Sequence, residues 1–210
     1  MRVLNRLLVC TLCFVALIGC RESASLPDPN HLVTSAWQAW RNDWHAVWQF
    51  EWTGAPLRGP LVVEIWHAAD CRRRIEVLEA PSAALSGLTL VEDGTTGWLY
   101  DLRQARLETG PVGQVSIPLA SDALNAIDWL LSGIDDARVK VAGHDALESG
   151  PAARLKILLS GGDQAVLWVH DETGLPARLE LQSAVWGEAS FTTRSIAAPE
   201  PLSPQLFVVP

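Results

Sequence analysis

The sequence predicts an α+β protein in which a strongly curved antiparallel sheet of about ten strands wraps around two helices that plug its concave side. Three observations lead there. Apolar residues recur with helical spacing in two segments, near 32–44 and 122–132. Elsewhere, short runs with alternating apolar positions are separated by turns rich in Gly, Asp and Pro. The composition, 49% hydrophobic and 19% charged over 210 residues, supports one sizeable core and excludes a disordered chain. With 24 acidic against 16 basic residues and a formal charge of −8, the chain has no basic excess to hold a phosphate backbone, so no nucleic-acid partner is expected.

The first element is a targeting segment. Arg2 and Arg6 precede a run from Leu7 to Ile18 in which Thr11 is the one truly polar residue. Such a run is too short to cross a bilayer, which takes about 20 apolar residues, and residues 1–19 read as a secretory signal. It ends Leu17-Ile18-Gly19-Cys20, which resembles the bacterial lipobox. The resemblance implies that Cys20 is acylated and becomes the first residue of the mature chain. Residues 20–31 then form an acylated cysteine and a Ser- and Pro-rich tether, and residues 32–210 the folded domain. Loss of two arginines with the signal leaves 14 basic residues against 24 acidic and a charge of −10. A surface of that sign is repelled by anionic headgroups, so the acyl anchor is expected to hold the protein on the outer, extracytoplasmic side of the cell membrane. In a host with two membranes that side is periplasmic or belongs to the outer membrane.

Val33, Ala36, Trp37, Trp40 and Trp44 share one helical face over 32–44, capped by Thr34 or Ser35. The period then changes to two: Trp48, Phe50 and Trp52 alternate with Gln49 and Glu51 before the turn at Gly54-Ala55-Pro56. Strands follow at 61–67 and 72–78, a hairpin at 89–92 and 98–102, and an extension of the meander at 105–108. A connection rich in Gly and Pro leads to Ser121-Asp122 and a second helix, stopped by Gly133, with Leu124, Ile127, Leu130 and Leu131 on one face. Further strands are expected at 138–142, 153–159, 164–170, 177–183 and 189–196. Leu155, Ile157 and Leu159, then Ala165, Leu167 and Val169, then Ala177, Leu179 and Leu181 mark one buried face. Residues 206–209 are expected to add an edge segment.

The candidate chemistry is sparse. Cys10 and Cys13 leave with the signal and Cys20 is the acylation site, so Cys71 stands alone and no internal disulfide can form. His31, His45, His67, His144 and His170 lack metal-ligand spacing, and no metal or other cofactor is expected. Ser132-Gly133 and Ser160-Gly161-Gly162 lack the strand, elbow and helix of a hydrolase nucleophile. No acid, base and nucleophile set appears, so an enzyme is not expected. Arg72-Arg73-Arg74 reads as cross-strand pairing with acidic neighbours. The unusual feature is ten tryptophans against one tyrosine. Trp48, Phe50 and Trp52 on one strand face, with Trp66, Trp98 and Trp168 on other strands, are read as lining a concave surface that the helix face Leu124, Ile127 and Leu131 covers. A small lid over a curved sheet is expected to leave apolar volume there.

Several phrases carry a likeness to known proteins: Arg74-Ile75-Glu76-Val77 leading to Pro81, Asp93-Gly94 followed by Trp98-Leu99-Tyr100-Asp101, Gly174-Leu175-Pro176, and the closing Phe207-Val208-Val209-Pro210. With the order of elements, the chain resembles the bacterial outer-membrane lipoprotein carrier and sorting superfamily, which includes sigma-regulator sensors and mycobacterial lipid-binding lipoproteins. The resemblance implies an unclosed half-barrel with a helical lid over a cavity for acyl chains, and a lipid or an acylated protein as ligand. It also implies an alternative, an envelope sensor that binds a membrane-protein partner through the same fold. The long apolar loop by which an anchored acceptor of this superfamily would enter a membrane is not evident at 54–60 or 93–97.

Overall fold

A computed structural model describes residues 28–53, 59–134, 137–197 and 201–208. The signal segment, Cys20 and the tether up to residue 27 lie outside the described residues, as do 54–58 of the first predicted loop. The first helix, α1, spans Pro29–Trp40, three residues earlier than the periodicity suggests. Asp28 caps it by accepting the Asn30 N–H at 3.0 Å, with Pro29 in the first turn, and this replaces the expected Thr34 or Ser35 cap. Trp44, expected on the helix, instead opens strand β1 (Trp44–Thr53).

Six strands form a first meander: β1, β2 (Leu61–His67), β3 (Arg73–Glu79), β4 (Leu88–Glu92), β5 (Thr96–Asp101) and β6 (Arg106–Pro111). Helix α2 (Ala120–Ser132) crosses over, and β7 (Arg138–Leu147), β8 (Gly150–Leu158), β9 (Gln164–His170), β10 (Pro176–Ser183) and β11 (Gly187–Ile196) form a second. All pairs are antiparallel, in the spatial order β6-β5-β4-β3-β2-β1-β11-β10-β9-β8-β7. The last strand thus returns beside the first, the two meanders become one sheet of eleven strands, and β6 and β7 are its free edges. The sheet is an unclosed half-barrel with both helices on one face, as the sequence predicts. β7 and β8 run several residues longer than expected, because residues 143–152 form a hairpin around Glu148-Ser149 that carries no strong apolar alternation.

One turn glycine positions α1. Gly174, between β9 and β10, has φ +72°, and a Cβ there would lie 3.3 Å from the Ala39 Cβ and 3.4 Å from the Ser35 carbonyl. Only a residue without a side chain lets the helix rest so close to that turn. The chain end departs from expectation: Pro204–Phe207 is a short 3-10 helix laid on the outer face beside β3, not an edge strand. Pro204 cannot donate to a ladder, and Ser203 caps the turn by accepting the Gln205 N–H at 3.3 Å.

Candidate functional site

The register divides the aromatic residues between the two faces of the sheet. Along β1, Trp48 faces Val63 and Thr193, Phe50 faces Leu61 and Phe191, and Trp52 faces Ala189. These side chains point to the helices. Phe191 meets Phe50 edge-on at 5.5 Å between ring centres and Trp52 at 5.3 Å, and Trp48 lies 5.9 Å from Phe50. Helix α2 brings Leu124, Ile127 and Leu131 into the same continuous core. The structure therefore joins six of the nine predicted cavity residues.

The other three are elsewhere. Trp66 sits opposite His45, and Trp98 opposite Val91, with side chains on the outer face. Trp66 stacks on His45 at 4.9 Å, and both tryptophans join Ala68 and Val91 beneath Leu202, Leu206 and Phe207 of the chain end. Arg72 places its guanidinium 4.7 Å from the Phe207 ring, and Arg74 donates to the Leu206 carbonyl at 3.1 Å. Trp168 also faces outward, among Ala152 and Ala177, donating to Asp145 at 2.7 Å with Arg178 over its ring. The physical reason is strand parity: Ile65, Leu99 and Leu167 point inward, so their neighbours Trp66, Trp98 and Trp168 cannot.

The inner face is closed to solvent over five of these six residues, and Trp52 is half-buried. Trp48, Phe50 and Leu131 retain 1% of their surface and Leu124 and Ile127 none, so none of them lines a space open to water. Two helices and several indoles suffice to cover the hollow of the half-barrel. A polar signal remains. The indole N–H groups of Trp48, Trp52 and Trp186 are buried on this side with no acceptor among the described residues. Each such donor costs about 1–3 kcal/mol if left unmade. Trp186 is legible in the sequence only as part of a turn, so its donor is a product of the tertiary fold.

At one end of the inner face the register lines up Trp44, His67, Arg73 and Glu92. Trp40 stacks on Trp44 at 4.8 Å and Trp44 on His67 at 5.2 Å with planes 7° apart. Trp40 also donates to Asp128 at 2.5 Å and so ties α1 to α2. Glu92, 2% exposed, is held by Arg73 at 2.6 Å. His67 donates from Nδ1 to the Asn42 carbonyl at 3.1 Å. Burial against the indoles lowers its pKa, helped by the nearby Arg73 charge, and outweighs the opposite pull of that carbonyl, Asp128 and Asp43.

A histidine whose folded pKa lies below its unfolded value near 6.5 favours the unfolded chain once that chain begins to protonate. Stability is thus expected to be intact above about pH 6.5 and to decline as the pH falls through and below it. Urea titrations over this range on the protein and on His67→Gln check it; the variant is expected to have the shallower decline, and equal slopes would remove His67 as the cause.

Among the described residues, His, Cys, Asp and Glu nowhere gather in threes that could hold a metal. No helix of the described residues is long and apolar enough to cross a membrane. The site is thus an apolar inner face, covered by helices and dotted with donors that have no acceptor among the described residues, on an open antiparallel half-barrel.

Several solved structures share that architecture. Among solved structures, the chain is similar to MucB, at 17% identity and a TM-score of 0.62, over 89% of this chain and 64% of that one. It spans just under two thirds of MucB, which has also been solved in complex with MucA from Pseudomonas aeruginosa. An uncharacterized conserved protein from Thermus thermophilus matches at 16% identity and a TM-score of 0.55, over 86% of this chain and 93% of that one. The lipoprotein LppX of Mycobacterium tuberculosis matches at 11% and 0.50, over 84% and 99%. At these identities the likeness is one of fold. No protein-family model matches the sequence, and no curated protein does.

Proposed function

We propose that this is a membrane-anchored lipoprotein, held through acylated Cys20 on the extracytoplasmic side, that binds acyl chains of a lipid or lipoprotein between helix α2 and the inner face of the half-barrel. The supporting observation is the pairing of an apolar face with buried indole donors that lack acceptors among the described residues. An ester or carboxylate oxygen at the head of an acyl chain is an acceptor of the kind Trp48, Trp52 and Trp186 want, while its tail suits Phe50, Leu124 and Ile127. Because the inner face under α2 is shut off from solvent at Trp48, Phe50, Leu124 and Ile127, the described form is a closed one, and loading requires α2 to lift. The role is sequestration without covalent chemistry.

Native mass spectrometry of unlipidated residues 21–210 in detergent-free buffer tests it. Retained or added acyl ligand, released when α2 is perturbed, is the expected result; a clean unliganded mass after incubation with fatty acid and phospholipid would sink it. A second reading, binding of an envelope protein, is favoured by the closed inner face itself and by the fold shared with MucB, which is known in complex with MucA. On that reading the same experiment gives the unliganded mass, with tight capture of a membrane-protein regulator.

A further inference from the structure

The outer face carries a trough that the inner-face reading does not use. It has a volume of about 790 Å³ and crosses the sheet from β7 to β1. Two rows of directly paired residues floor it. One runs Lys140, Lys156, Val166, Glu180, Ser190 and Glu51. The other runs Arg138, Leu158, Gln164, Gln182 and Glu188. Positive charge is collected at the β7 and β8 end, beside the half-exposed Leu158, and negative charge at the β10, β11 and β1 end, with the neutral Val166 and Gln164 of β9 between them.

The cationic end is built against local preference. Lys140 and Lys156 are the only lysines of the chain, and the register sets them face to face across β7 and β8, where like charges repel. Every other described arginine outside the trough reaches a carboxylate or, as Arg41 on Trp37, stacks on an indole. Arg138, Lys140 and Lys156 have no ion-pair partner among the described residues. At the far end Glu180 is taken by Arg178 and Glu51 accepts from Gln49, while Glu188 has no such partner among the described residues.

The geometry points to a binding site for an extended peptide segment of a partner protein whose charge is divided end to end, acidic residues on Arg138, Lys140 and Lys156 and basic residues toward Glu188 and Glu51. Five inter-strand steps of about 4.8 Å make the trough roughly 24 Å long, the span of about seven extended residues. A peptide enters a recess of this shape, whereas a lipid surface is flat, and an anionic one is repelled by a chain of charge −8. The site is on the opposite face from α2, so it is independent of acyl binding.

The test uses the full-length protein and two fluorescein-labelled peptides of zero net charge: one with three glutamates, three serines and three lysines in blocks, the other of the same composition with the charges alternating. Anisotropy titration at low salt is expected to give about tenfold tighter binding of the block peptide, and Lys140→Gln/Lys156→Gln to erase that preference without lowering the melting temperature, since the variant relieves a repulsion. Equal binding of the two peptides, or an unchanged preference in the variant, would overturn the proposal. So would preference of the same lysines for vesicles of phosphatidylglycerol over the block peptide, which would make the trough a membrane contact.

Discussion

Replacing Ile127 by Asp is expected to abolish binding of a fluorescent fatty-acyl probe while the protein still folds. Ile127 is wholly buried in the middle of α2, and no lysine or arginine is among the buried residues described, so a carboxylate there has no buried lysine or arginine to pair with. An unpaired charge there costs at least about 3 kcal/mol, and the least expensive response is for the helix to swing its face toward water. The sheet below is held by its own ladder across eleven strands, so a cooperative thermal transition should survive, lowered by roughly 10 °C for a chain of this size. The control is Trp168→Ala, which removes a buried indole from the outer face at a comparable cost of about 3–5 kcal/mol. Binding per folded molecule should persist in that variant. If both substitutions reduce binding only in proportion to the folded fraction, α2 is plain core and the acyl site under it is withdrawn. If Ile127→Asp leaves binding and stability alike, the helix does not close the inner face in solution.

The second large effect is expected at the anchor. Cys20→Ser removes the sulfur that would carry the acyl group of the proposed anchor. Each acyl methylene contributes about 0.8 kcal/mol to membrane attachment, and a single chain anchors only marginally, so losing the acyl group should move the protein from the membrane pellet to the soluble fraction or leave it uncleaved. The intact mass should lack the acyl increments. Unchanged partition and unchanged mass would remove the lipoprotein reading while leaving both binding surfaces untouched.

Much of the architecture is legible in one sequence because periodicity is local. The turn glycines and the stop at Gly133 follow from backbone geometry within a few residues, and the strands at 61–67 and 164–170 appear where they are expected, whereas the switch from helix to strand comes at Trp44, four residues before the alternation at Trp48 shows it. Parity is partly legible too. Ala165, Leu167 and Val169 form one apolar set, which already assigns Trp168 to the opposite face. In β2 the run Leu61-Val62-Val63 is apolar at every position, and nothing local says whether Ile65 or Trp66 turns inward.

What the sequence by itself determined is therefore the class: two helices and two antiparallel runs of strands around one core. The tertiary structure alone decided which aromatic residues meet. Alternation states which side chains share a face of a strand, but the inward face is chosen by what covers it, and the chain end that covers Trp66 and Trp98 is more than a hundred residues away. The same holds for the trough. Lys140 and Lys156 become neighbours through the register of a long hairpin, and Glu51 and Glu188 join them only because β11 returns to pair with β1.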